Sequence, residues 1–383
     1  MTIAYIKKNC LKYSVAVILF LYAAVFLLHL HLFGIGTTLE AEKYIQEAKN
    51  LVNHKGLSAS RFWFYSITIF LIYVCLQLKI GFTGAVILQS LLNLAVILFF
   101  HTSLKLLFRP FSILPLLIAC TAVIFSPYSS WNVFLFTESV FYSCILLLVS
   151  TIIRHAITKN KSGILFIILA LLLTILARPL GILFMPGVLC YLYLIARKTI
   201  KLLIIPAAII GVGALLFITN IIFTSTANVP ITLSAREGCV VCGIIPSTSP
   251  ALDLSNTGTP VQQLYYYISH NFSLFISLAM ARLEAFFFMT RPWYSNLHNI
   301  FLLLFIVPLY ILSLAGLAGK KEKTYKPIFY FMLISIATFA AVIMMQCDDY
   351  HNRFILGLFP FFLIMAAKAI ETRKLNRFAL HSC

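Results

Sequence analysis

The chain has 383 residues, 61% of them hydrophobic and only 10% charged, with 34 Phe and a mean hydropathy of +0.99. A soluble globule carries about a quarter of its residues as Asp, Glu, Lys and Arg, so this composition excludes one and describes a polytopic membrane protein. The net charge of +18 comes from Lys and Arg scattered through short loops between apolar runs, a positive-inside pattern rather than a nucleic-acid surface, and no nucleic-acid partner is expected.

The basic start "MTIAYIKKNCLKY" leads into an apolar run too long for a signal peptide and without a small-residue cleavage site, which reads as a retained first helix. Apolar segments long enough for a helix to cross about 30 Å of hydrocarbon follow to the end of the chain. They fall at roughly 14–33, 63–78, 84–104, 110–127, 134–153, 162–178, 180–197, 202–223, 272–290, 297–317, 326–346 and 353–370. The fold expected is an all-α bundle of about 10–12 membrane segments, a single integral-membrane domain over residues 1–383. If all twelve segments crossed, the basic loops "RHAITKNK" and "ARKTIK" would both lie outside, against the positive-inside rule. Letting 63–78 and 272–290 dip into the interface leaves about ten crossings, with both termini and the basic loops inside.

That topology puts Glu40, Glu42, Glu47, Glu138, Glu237, Asp253, Asp348 and Asp349 outside, and only Glu322 and Glu371 inside. The first outer loop, 34–62, contains "EAEKYIQEAKNLV". At about 100° per residue, Ala41, Tyr44, Ile45, Ala48, Leu51 and Val52 share one face, as in a helix lying on the membrane surface. Gly56 is the expected end, Glu42 and Glu47 belong to the solvated or boundary side, and Glu40 edges the apolar stripe beside Tyr44. "TTLE" fits a capping box from Thr37 to Glu40. A carboxylate at this boundary also suits a general base toward an acceptor hydroxyl or amine.

Glu138, in "LFTESVF", opens a helix where an acid complements the dipole, or faces Glu40 as a second carboxylate that orders the acceptor or shares a divalent cation. Arg178, in "LARPLG", and Arg353, in "DDYHNRF" beside Tyr350 and His351, end or open apolar runs at the outer face. Snorkelling explains such arginines, and so does binding of a phosphate at the membrane boundary. Between 224 and 271 lies a Ser-, Thr- and Pro-rich outer loop, a lid or a connector. It holds "GCVVCG", a lone CxxC (Cys239, Cys242) that reads as a loop disulfide or two idle thiols; Cys75, Cys120, Cys144 and Cys190 read as small buried hydrophobes.

In order and spacing, "EAEKYIQEAKNLVNHKG", "ILQSLLNLAVILFFHTSLKLLF", "LFTESVFYSCILLLVS", "ARPLGILFMPGVLCYLYL" and "RFILGLFPFFLIMAA" resemble the GT-C superfamily of integral-membrane glycosyltransferases, in the branch of protein mannosyltransferases and aminoarabinose transferases. The resemblance runs over about 36–196 and 348–367. It implies that Glu40, four residues before Tyr44, is the catalytic base and Glu138 the second acid. It further implies that Arg178 of the Arg-Pro pair and Arg353 bind the donor near Tyr44, Tyr350 and His351. The family's acid at the first position is commonly Asp, and its basic Pro-Pro signature is here "SASRFWFYS", which leaves Arg61 in that place. The implied activity is inverting transfer of a sugar from a polyprenyl-phosphate carrier to a glycan, lipid or protein acceptor on the outer face of a bacterial inner membrane. The partners expected are the bilayer, that donor and the acceptor; no organic cofactor is expected, a divalent cation has room, and no closed metal set is predicted. A transporter or flippase of lipid-linked sugars, or an inactive scaffold of the same kind, is the alternative.

Overall fold

A computed structural model describes residues 13–196, 238–242, 244, 258–318, 322–348 and 350–380, with single positions at 206 and 213; the side chains of 260, 264 and 373–380 fall outside the description. The expected segment 202–223, most of the long outer loop, and Glu237, Asp253 and Asp349 lie outside the described residues. Among these residues the protein is helical, with isolated β-bridges at Gly36–Phe134 and Val241–Asp348. Six helices are long and apolar enough to cross a membrane, or up to eight if each of two bent pairs is one span.

The chain divides into two compact units: Met1–Met185 with Leu312–Ile328 and Phe359–Cys383, and Pro186–Ile311 with Phe329–Leu358. In the first, α1 (Ser14–Phe33) ends at Gly34, α2 (Glu40–Val52) follows in the loop 34–62, and α3 (Ser66–Gln77) is entered through a 3₁₀ turn at Ser60–Tyr65. Ser60–Gln77 together just reaches spanning length. Then come α4 (Gly81–Leu107), α5 (Leu114–Ile124), α6 (Glu138–Thr158) and α7 (Ser162–Ala177).

Helix α6 is central: 78% of its apolar window is buried, and α4 and α7 pack on its sides. Its sequence explains this. Ser139, Ser143, Ser150 and Thr151 alternate with Ile, Leu and Val, and each hydroxyl that donates to the helix's own carbonyls removes a polar cost of burial. Segment 110–127 is not one straight helix. After α5 the chain bends by 67° into Ser126–Val133, where Pro127 begins a new short turn. A bent segment leaves main-chain groups without a helical partner, and α4 supplies them: Gln89 Nε2 donates to the carbonyls of Asn132 and Phe134, each at 2.9 Å, and Ser90 Oγ to Asn132 O at 3.2 Å. Asn132 in turn donates to Asn93 Oδ1 and accepts from Ser139 Oγ at 2.6 Å.

At the far end of this unit, α13 (Phe359–Leu380) carries a buried ion pair, Lys368–Glu371 at 2.6 Å. Glu371 also accepts from the Arg109 N–H at 2.9 Å, and Lys368 lies between the Phe108 and Tyr325 rings, so the end of α4 is fastened to α13.

The second unit contains α8 (Met185–Ile195) from Pro186 onward, α9 (Pro260–His270) and α10 (Phe272–Phe288), a pair bent by 105°. Most of α11 (Asn296–Ala318), with Pro308 in its interior, and most of α12 (Tyr325–Met345) also belong to it. Thr259 and Gln262 form a full capping box at the start of α9.

The Gly36 bridge fixes the start of the loop 34–62. Gly36 N–H donates to Val133 O at 3.0 Å, and Leu135 N–H donates back to Gly36 O at 2.9 Å. A Cβ at Gly36 would stand 2.1 Å from Phe134 Cδ1, in a ring packed against Phe33, Trp131 and Phe136. Gly36→Ala is therefore expected to cost about 1–3 kcal/mol, the usual penalty of overpacking, read as a lowered thermal midpoint of the detergent-solubilised protein; an unchanged midpoint would remove the bridge from its structural role.

Candidate functional site

Helix α2 presents the apolar face expected of it, with Ala41, Tyr44, Ile45 and Ala48 buried. Two expectations fail. Thr37 does not cap the helix: the residue ahead of Glu40 is Leu39 at φ +58, with no side-chain cap, and Glu40 instead accepts from Lys43 Nζ at 3.0 Å, one turn on. Glu47 is neither solvated nor at a boundary. Beyond the left-handed residues His54 and Gly56 the chain doubles back, and Ser58 donates its N–H to Glu47 Oε2 at 2.8 Å and its hydroxyl to Oε1. The loop thus closes on its own buried carboxylate.

Glu40 remains 35% exposed while its neighbour Tyr44 is sealed in. The Tyr44 ring lies 5.4 Å from that of Tyr65, and Lys43 covers both, at 5.0 and 5.9 Å from their centroids. Burial raises the Tyr44 phenol far above its ordinary range; the charges of Glu138 and Glu40 and the nearby Tyr65 add to this, and Arg178 opposes it. The residues proposed from sequence, Glu40, Tyr44, Glu138 and Arg178, thus share one electrostatic neighbourhood. Tyr65, missed from sequence, sits in it as well: Arg178, Glu40, Glu138 and Arg61 all act on its ring. The signal for Tyr65 was the aromatic run "RFWFY" facing α2. Arg61 itself is exposed and packs over Phe62 at 5.3 Å.

Glu138 is the first residue of α6 and is completely buried. Its Oε1 accepts from Arg178 Nη1. Arg178 reaches it because Pro179 pushes the residue before it out of helical geometry: Arg178 is extended, at φ −163° and ψ 141°, and closes α7. The 3₁₀ turn Pro179–Phe184 then folds against Thr174, whose carbonyl comes so near Gly181 that a Cβ there would stand 2.3 Å from it. The second acid is therefore the partner of the arginine. The ion pair holds the guanidinium in place at the start of α6, near enough to act on Tyr44.

Tyr350, His351 and Arg353 belong to the second unit. Tyr350 stacks on Trp293 at 4.3 Å and is 37% exposed, with His351 edge-on at 4.9 Å. Arg353, half-buried, opens a four-residue helical turn after Asn352 at φ +59°, whose Nδ2 donates to Met289 O at 2.7 Å. Asp348, grouped by sequence with the outer acids, is the buried partner of Arg291 at 2.5 Å. Arg291 also donates to the carbonyls of Ala285 and Thr290. Like Arg178 it precedes a proline at the end of an apolar helix, and the Arg-Pro pair was the available signal. The CxxC does not close on itself: Cys242 is bonded to Cys347, and Cys239 keeps its thiol. Among the described residues no three His, Cys, Asp or Glu side chains gather as a metal site.

Removing one partner of a buried ion pair strands the other charge, at a typical cost of about 3–5 kcal/mol, whereas removing both costs less than the sum. Glu138→Gln and Arg178→Met are each expected to lower the denaturation midpoint strongly, and the double variant to recover part of the loss; strict additivity would mean that the pair is uncoupled. The Tyr44 shift has a definite sign. Its folded value lies above the ordinary phenol value of about 10, so its contribution to stability is whole below that pH and is lost as pH rises beyond it. Tyr44→Phe should flatten the alkaline fall of the thermal midpoint above about pH 10; identical alkaline profiles would overturn this assignment.

Comparison with protein-family models, with curated proteins and with solved structures finds no match for this chain.

Proposed function

We propose that the protein is an inverting glycosyltransferase of the GT-C kind, moving a sugar from a polyprenyl-phosphate donor to a glycan, lipid or protein acceptor. The observation that carries the reading is a half-exposed carboxylate on an outer-loop helix, Glu40, set in the same electrostatic neighbourhood as a positioned guanidinium, Arg178, around the buried Tyr44. In this reading the chain crosses a bacterial inner membrane ten to twelve times with both termini inside, α2 lies in the outer interface, and the site faces outward. The abundant apolar helices support the membrane part of it.

Glu40 takes a proton from the acceptor hydroxyl or amine as that atom bonds to the anomeric carbon from the face opposite the phosphate. The bond between that carbon and the phosphate oxygen breaks, and the electron pair leaves with the polyprenyl phosphate. A phosphate that departs already charged needs no general acid; it needs cations placed where charge develops. Arg178, held by Glu138, fills that role, and Arg61, exposed near Tyr65, is the further phosphate contact within the first unit, beside Tyr44. No step requires a metal or an organic cofactor.

The test is transfer by the purified protein in lipid nanodiscs, given radiolabelled polyprenyl-phosphate sugars and candidate acceptors. General-base catalysis is typically worth about 10²–10⁴-fold, so Glu40→Gln should lose at least 10²-fold in transfer while still binding donor, and Glu42→Gln, on the wet face of α2, should not change. Undiminished transfer by Glu40→Gln would remove Glu40 as the base. Wild-type protein that moves the labelled donor across proteoliposomes without transferring the sugar is instead a flippase, and one that does neither is a scaffold.

A further inference from the structure

The "GCVVCG" motif takes no part in the proposed transfer, and its arrangement is unlike that of a structural disulfide. Cys242 is bonded to Cys347, 105 positions later, while Cys239, three residues before it, is buried and reduced. A third sulfur at CxxC spacing from a bonded one is the arrangement in which an attacking thiol and a disulfide coexist.

The surroundings suit that chemistry. Arg282, wholly buried in α10, donates from Nε to Cys239 O at 2.9 Å and from Nη1 to Met344 O at 3.2 Å, which fixes the Cys239 main chain against α10 and α12. Main-chain bonds keep the other two sulfurs in register whichever bond exists: Asp348 N–H donates to Val240 O and Cys242 N–H to Asp348 O, each at 2.9 Å. Asp348 is anchored independently through Arg291. Gly238, at φ +64°, supplies a flexible joint immediately before Cys239.

We propose that Cys239 is a resolving thiol for the Cys242–Cys347 disulfide, giving the outer segment of the second unit two covalent forms that interconvert by internal exchange. The Cys239 thiolate attacks the Cys242 sulfur; the Cys239–Cys242 bond forms as the Cys242–Cys347 bond breaks. Cys347 leaves with the electron pair and takes up the proton that Cys239 gave. One thiol and one disulfide are present before and after, so no oxidant or reductant is consumed. Burial of Cys239 shields it from outside thiols and favours the internal partner. The form with Cys347 released unties the covalent anchor of the segment that carries Tyr350, His351 and Arg353. The exchange itself does not rest on the transferase reading.

The experiment is thiol trapping on the full-length protein in detergent. After incubation at about pH 8 for hours, the timescale of uncatalysed disulfide reshuffling, the protein is quenched in acid, unfolded, alkylated with N-ethylmaleimide, digested and mapped by mass spectrometry. Wild type should show two populations, one alkylated at Cys239 and the other at Cys347. Cys239→Ser should leave Cys347 wholly protected, and Cys347→Ser, incubated with oxidised glutathione as the oxidant, should show Cys239 bonded to Cys242, with thermal midpoints confirming that both variants are folded. Wild type alkylated at Cys239 alone, or folded Cys347→Ser with both remaining thiols reduced, would overturn the proposal.

Discussion

A carboxylate and a guanidinium that hold each other out of water set the geometry of the first unit. Burying either ion alone would cost several kcal/mol even after relaxation. Their pairing ties the start of α6 to the end of α7 and holds the guanidinium near Tyr44. The same device recurs in the second unit with Arg291 and Asp348. In both, an arginine before a proline, at or soon after the end of an apolar helix, pairs with an acid far away in sequence. At Arg178 the proline imposes the extended geometry that closes α7, whereas α10 ends at the left-handed Met289, two residues before Arg291.

Between α4 and α6, polar side chains do the work that regular helix bonds cannot. The bent segment through Asn132 exposes carbonyls inside an apolar bundle, where each unsatisfied group is expensive. Gln89, Ser90, Asn93 and Ser139 meet them, and the segment becomes rigid enough to serve as a backbone template for Gly36. The loop 34–62 is thus registered on the core by main-chain bonds at one end and by the Glu47–Ser58 closure at the other. Glu40 stands on that registered frame, 35% exposed and bonded to Lys43.

The membrane class, the helical fold, the amphipathic helix at Glu40 and the grouping of Glu40, Tyr44, Glu138 and Arg178 were legible from apolar run length, helical periodicity and the resemblance in motif order. The failures have physical reasons. Thr37 fits a capping pattern, but the bridge at Gly36 leaves Leu39 left-handed ahead of the helix, so tertiary pairing overrides the local signal. Glu47 looked solvent-facing because a helical wheel ignores what the chain does eleven residues later. The pairing of Asp348 with Arg291 was not legible because a spacing of 57 residues leaves no periodic trace. The bend after α5 was not legible because composition measures length in an apolar phase and says nothing of direction.

The bond between Cys242 and Cys347 also orders events during synthesis. Cys239 and Cys242 leave the ribosome together, and the chain must lengthen by 105 residues before Cys347 exists at all. In that interval α9, α10, α11 and α12 are made, and the nearest sulfur in sequence to Cys242 is Cys239. The long-range bond can close only after those helices have threaded so that residues 242 and 347 emerge on the same side. Its presence in a mature molecule is therefore a record that the second half of the chain was inserted with the correct parity.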